Sequence, residues 1–110
     1  MSDSFPLIHE HDFETKVLSS PLPVLVEFSA VWCGPCRRLE PELHKLAEML
    51  GNRVQCYKVD VDENPDLAFR YQILSVPTVI LFHNGEPRGR INGYQPYPRL
   101  MEIFSPHLDL

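Results

Sequence analysis

No stretch of this chain strings together the roughly eighteen apolar residues of a membrane-spanning helix, and its opening residues, "MSDSFPLIHEHDFE", lack both the basic and the apolar region of a secretory leader. The expected location is therefore the cytoplasm. Basic side chains are in the minority, 10 against 15 acidic ones, giving a net charge of -5 with no basic cluster. Nucleic acid and anionic membrane surfaces are thus excluded as expected partners. Glycine is scarce, at 5 residues, and no Gly/Ser-rich linker, internal repeat or low-complexity tract divides the 110 residues. One domain spanning 1–110 is the expectation. Cysteine is also scarce: 3 residues are too few for a disulfide framework, and a chain of 110 residues buries enough surface to fold without one.

Proline is abundant, at 11 residues, and punctuates segments of different apolar period. "FPLI" reads as a short first strand and "HDFETKVL" as a helix. "PVLVEFS" reads as a strand buried on both faces, interrupted only by Glu27. From Pro35, residues Leu39, Leu43, Leu46, Ala47 and Leu50 recur at helical spacing until Gly51-Asn52 stops them. "RVQCYKVDV" alternates as a strand, and "NPDLAFRYQI" is a short helix opened by Pro65. "VPTVILFHNGEPRGRINGY" is a hairpin turning at Asn84-Gly85, and Leu100, Ile103, Phe104 and Leu108 share one face of a closing helix. The order β-α-β-α-β-α-β-β-α predicts an α/β fold: a central mixed β-sheet with helices on both faces. Strands joined through helices are expected to be parallel and the hairpin antiparallel.

The chemistry concentrates in "VWCGPCRRLEP". Two cysteines three positions apart leave a structural bridge, a metal site or a redox pair open. Zinc needs four ligands, yet Cys56 is isolated and His9, His11, His44, His83 and His107 are scattered. A bridge across so short a loop adds little chain-entropy stabilisation. Cys33 at the end of a buried strand and the start of a helix would instead face unpaired N–H groups that favour a thiolate. Cys36, one turn on, is placed to close a disulfide or to attack a mixed one. Pro35 is tolerated in the first turn, and Arg37 and Arg38 add positive charge.

These residues, with "VLVEFSAVWCGPC", "YKVDVDENP", "ILSVPTVILFHNGE" and Gly93, strongly resemble the thioredoxin family from about Phe5 to the C terminus. The resemblance implies a thioredoxin fold and dithiol-disulfide exchange with client proteins, re-reduction by a thioredoxin reductase, and no bound cofactor or metal. It implies Cys33 as the attacking thiolate and Cys36 as the resolving cysteine. Trp32, Gly34, Pro35, Val76, Pro77 and Gly93 would form the substrate-binding surface, with Pro77 in cis, the Val76 backbone offered to an extended client segment, and Gly93 leaving it room. Glu27 would be the buried base that assists Cys36, with Lys58 as its ion partner.

Two residues depart from the family pattern. Glu27 stands where aspartate is usual, one methylene longer, and Ser29 where an aromatic is more common. Both bear on the redox balance, so a client-dedicated protein, or an oxidant or isomerase, stays open beside the reductase. So does a non-enzymatic binding module, although two intact thiols speak against it. Cys56 is expected to be a small buried hydrophobe without redox function. The His9/His11 pair and the acidic "DVDEN" run are expected to be solvated surface.

Overall fold

A computed structural model describes residues 5–109. Strand β1 (Val24–Ser29) is buried at every position, as its nearly unbroken apolar run requires, and the other strands assemble around it. β2 (Gln55–Asp60) lies parallel to it on one side and β3 (Thr78–His83) antiparallel on the other. β4 (Glu86–Asn92) pairs antiparallel with β3, giving the order β2-β1-β3-β4. The hairpin turns where expected: Asn84 (φ 55) and Gly85 (φ 79) both take the left-handed conformation of a tight two-residue turn.

Connection length explains the strand directions. Helix α2 (Gly34–Leu50) has 17 residues and so covers about 25 Å, enough to return the chain along the roughly 20 Å of a six-residue strand and start β2 parallel to β1. Helix α3 (Pro65–Arg70) has only 6 residues, about 9 Å, too short for that return. β3 therefore starts near the end where β2 stopped and runs antiparallel to β1, which corrects the expectation that all helix-linked strands are parallel.

The predicted first strand is also smaller than expected. "FPLI" contributes one parallel bridge, Leu7 opposite Lys58. Its hydrogen bonds run from Ile8 N–H to the Lys58 carbonyl (3.0 Å) and from Lys58 N–H to the Pro6 carbonyl (2.8 Å). Pro6 has no N–H to extend the ladder, and at His9 the chain already caps helix α1 (Glu10–Phe13). A wide π turn, Glu14–Leu18, completes the segment read as one helix.

Alternation along the strands sorts the core into two layers. Leu25, Val79 and Leu81 meet Leu39, Leu43, Leu46 and Leu50 of α2, together with Leu100 and Phe104 of α4 (Tyr97–Phe104). On the other face Val24, Val26, Phe28, Ile80 and Phe82 meet Phe13, Val17 and Leu67. Phe82 takes the Phe13 and Tyr71 rings edge-on, with centroids 5.5 and 5.1 Å away. Helices thus cover both faces of a mixed sheet, the α/β class predicted. Pro41 sits inside α2, where it removes one backbone donor, and the four buried leucines of that helix hold it against the sheet across the defect.

Candidate active site

Strand β1 delivers the chain to its C-terminal edge, and the cysteine pair lies immediately beyond. Cys33 is the N-cap of α2 in extended backbone conformation, and its Sγ accepts the N–H of Cys36 at 3.1 Å. The sulfur thus occupies the place of a capping oxygen, against amides with no intrahelical partner. Gly34 and Pro35 fill the first turn, where proline's missing N–H leaves nothing unpaired. Cys33 and Cys36 are disulfide-bonded, with Cα atoms 5.3 Å apart. Both are buried, against Ala30, Val61 and Val76. The two arginines behind them are engaged elsewhere: Arg37 Nη2 donates to the Val31 carbonyl at 2.6 Å, and the Arg38 guanidinium lies 5.5 Å from the centre of the Tyr94 ring. The helix amides, rather than these guanidinium groups, are the electropositive contact seen at the sulfur.

Val76 meets the cystine from the loop before β3, and its bond to Pro77 is cis, as the resemblance implied. The Pro77 carbonyl accepts the Gly93 N–H at 2.7 Å. Thr78 Oγ1 bonds the Ser75 carbonyl and Asn92 Oδ1 (2.8 and 3.1 Å), so the ends of β3 and β4 hold the loop from both sides. Gly93 has φ 85, which favours glycine, and a Cβ built there meets no atom within 4 Å. The backbone angle therefore explains the glycine, and the space beside it is open.

Trp32 is 66% exposed, and its Nε1 donates to Asp62 Oδ2 at 2.8 Å. Asp62 belongs to the acidic run read as solvated surface. That reading needs correcting, since Asn64 of the same run is buried and accepts the Glu10 N–H at 3.0 Å. Trp32, Val61, Ile73, Leu74 and Val76 line a groove of about 140 Å³ beside the cystine. Leu74 and Val31 stand out at 94% and 74% exposure, extending the apolar surface around it.

Within β1, Glu27 is 1% exposed, and neither carboxylate oxygen has a hydrogen-bond partner. Burial, reinforced by the Glu40 carboxylate and only partly offset by the Lys58 ammonium, pushes its pKa up to about 8. Lys58 is directly opposite Glu27 in the β1–β2 ladder. Its influence on Glu27 is electrostatic only: neither Glu27 oxygen receives a hydrogen bond, and Nζ donates to Glu40 Oε2 at 2.6 Å. Glu40 was not singled out in the sequence. The signal that could have found it is its position four residues after Cys36, on the same face of α2.

Ser29 is buried at the end of β1 and lines a cavity of about 100 Å³ with Leu7, Ala30, Val31, Lys58 and Asp60. Cys56 is half-buried against the α2 layer, and burial lifts its thiol to about 12, far from a reactive thiolate. His9 and His11 are exposed and stack on each other at 5.8 Å. Among the described residues no group of three or more His, Cys, Asp or Glu side chains is placed to hold a metal ion, and no helix is long and apolar enough to cross a membrane.

A cystine capping the first turn of a helix, packed against the loop of a cis proline at the edge of a mixed sheet, defines a dithiol-disulfide oxidoreductase. Sequence comparison agrees. The profile of the family described as Thioredoxin matches residues 4–105. The thioredoxin of Staphylococcus epidermidis (strain ATCC 35984) is 41% identical over 101 residues, which cover 92% of this chain and 95% of that protein. Thioredoxin from Staphylococcus aureus (strain Mu50) matches over the same shares at 41% identity. Thioredoxin M4, chloroplastic, of Arabidopsis thaliana is 47% identical over 91 residues, covering 83% of this chain and 47% of that longer protein. The chain belongs to the thioredoxin family.

Proposed function

We propose that this protein is a general protein disulfide reductase that works as a single monomeric domain in the cytoplasm and is returned to its dithiol form by a thioredoxin reductase. The observation that carries this reading is the Cys33 sulfur held on the Cys36 amide at the N terminus of α2. There the thiolate of the reduced protein is stabilised without a neighbouring cation.

In the forward reaction the Cys33 thiolate attacks one sulfur of a client disulfide. A Cys33–client bond forms, the client's own S–S bond breaks, and its second sulfur leaves and takes up a proton. Glu27 then accepts the proton of Cys36, whose thiolate attacks the Cys33 sulfur. The Cys33–Cys36 bond forms, the mixed disulfide breaks, and the client's remaining sulfur leaves as a thiolate that takes up a proton, so the client departs as a dithiol. Two electrons have passed from protein to client, so no bound cofactor enters. A carboxyl raised to about 8 suits this work, because it takes and returns a proton near neutrality.

Trp32, Val76 and the open space at Gly93 receive the client. Gly34 and Pro35 present a smooth surface between the two sulfurs. Val76 offers its backbone to an extended segment, which favours many clients over one because backbone contacts read no side chain. The cystine buried among these groups favours a reductase over a pure binding module, which needs no thiol pair. The test is turnover: NADPH oxidation coupled through a thioredoxin reductase to reduction of insulin disulfides. Catalytic amounts of the chain should sustain it. A chain that stays oxidised in the presence of reductase and NADPH would overturn the proposed electron donor.

A further inference from the structure

The buried carboxyl of Glu27 has an ammonium group opposite it and no hydrogen bond to it. Lys58 shares its register position across the parallel ladder, yet the Lys58 side chain is drawn to Glu40 on α2, at 2.6 Å. Both partners of that pair are mostly buried, so neither is held there loosely by solvent. Glu40 also lies four residues from Cys36, one turn further along the same helix face. One carboxylate therefore stands between the helix that carries the resolving sulfur and the lysine beside the buried acid.

We propose that Glu40 is a positioning residue for the proton chemistry of the site: it holds the Lys58 ammonium in an ion pair and away from Glu27. This inference rests on Glu27 as the acid-base group of the resolving step.

The physical basis is competition for one cation. A desolvated carboxylate is tolerated only if it is paired and hydrogen-bonded. Glu27 is neither, so its neutral form is favoured. Glu40 acts in the same direction twice, since its own charge opposes ionisation of Glu27 and it occupies the ammonium that would favour it. Among the described residues, the charged groups that bear on Glu27 are Glu40 from α2 and Lys58 from β2. The neighbouring strands present Val79 and Ile91 to this layer and α4 presents Leu100, all apolar. In the reduced protein the thiols of Cys33 and Cys36 at the start of α2 are the further titratable groups on this side.

Lys58 also lines the cavity under Ser29, whose rim carries the exposed Leu7 and Val31.

The experiment follows the Glu27 side-chain carboxyl by 13C NMR across pH in the oxidised protein. Alongside it, the rate at which a mixed disulfide on Cys33 is resolved is measured against pH. Both are run for wild type, Glu40→Ala, Glu40→Gln, Glu40→Asp and Glu27→Gln, after urea unfolding has identified the variants that remain folded. Removing the Glu40 charge should move the Glu27 midpoint to acid by about one pH unit, move the resolution profile with it, and leave Glu40→Asp close to wild type. The two charge-removing variants, Glu40→Ala and Glu40→Gln, guard against a fold lost in either one. A Glu27 midpoint that stays in place in both overturns the role of Glu40, even where Glu27→Gln still slows resolution. A midpoint that moves while the resolution profile does not, with Glu27→Gln also resolving normally, removes Glu27 from the reaction and the proposal with it.

Discussion

Gly93 donates its backbone N–H to the carbonyl of Pro77 at 2.7 Å, so the residue that follows β4 fixes the cis proline next to Val76, which packs against the cystine. With φ at 85, Gly93→Ala forces an L-residue into left-handed backbone. That should cost about 1–2 kcal/mol of stability. Because no protein atom lies within 4 Å of the added methyl group, any further loss should appear as a raised KM for disulfide proteins at nearly unchanged kcat. Urea unfolding and steady-state kinetics on the same variant separate the two effects, and an unaltered KM would remove Gly93 from the client surface.

The two sulfurs are expected to fail differently. Cys36→Ser leaves Cys33 on the helix amides but removes the thiol proposed to resolve the mixed disulfide, so it should accumulate covalent client complexes and lose turnover by several orders of magnitude. Cys33→Ser should lose turnover without accumulating them. Non-reducing electrophoresis followed by mass spectrometry reads both outcomes.

Burial of Glu27 ties stability to pH. The folded pKa of about 8 lies above the ordinary glutamate value of 4.5. Between those values the folded state holds a proton that the unfolded chain has released. Stability from this group is therefore complete below about 4.5 and is lost as pH rises toward 8. Each unit of the difference is worth about 1.4 kcal/mol, so the oxidised wild type should lose several kcal/mol relative to Glu27→Gln between pH 5 and pH 9. Urea midpoints measured across that range test this, and parallel curves for the two proteins would contradict it.

Asp62 steadies the only tryptophan. Asp62→Ala removes the 2.8 Å bond to Trp32 Nε1. The pair is exposed, so stability should change by less than about 1 kcal/mol. The indole should become more mobile, with lower fluorescence anisotropy. An unchanged anisotropy would mean that packing against the groove, rather than Asp62, orients the ring.

Local chemistry was the legible part of this sequence. The Cys33-Gly34-Pro35-Cys36 turn, the leucine face of α2 and the Asn84-Gly85 hairpin depend on neighbours in the chain, and their residue types state those demands directly. Strand direction was less legible because it depends on what a connection spans, and six residues of α3 cannot return the chain as seventeen residues of α2 do. The first strand shrank to one bridge because Pro6 withholds a donor and His9 begins a helix, two local facts outweighed in the reading by an apolar pattern. The electrostatics behind the site were legible only in part. Glu27 stood out as a charge in an apolar strand, but nothing in the one-dimensional pattern assigns Lys58 to Glu40 eighteen residues earlier rather than to the residue opposite it. Asp62 looked like surface because it is surface, and its bond to Trp32 arises from the packing of two loops.

The most direct test of the central claim is the reduction potential of the Cys33/Cys36 couple, equilibrated in thiol-disulfide buffers and followed by the fluorescence of Trp32, with thiol counting to confirm two electrons. A disulfide reductase requires a couple more reducing than the cytosolic glutathione pool, and that is the predicted result. A potential well above the pool would contradict the account and make the protein an oxidant or isomerase.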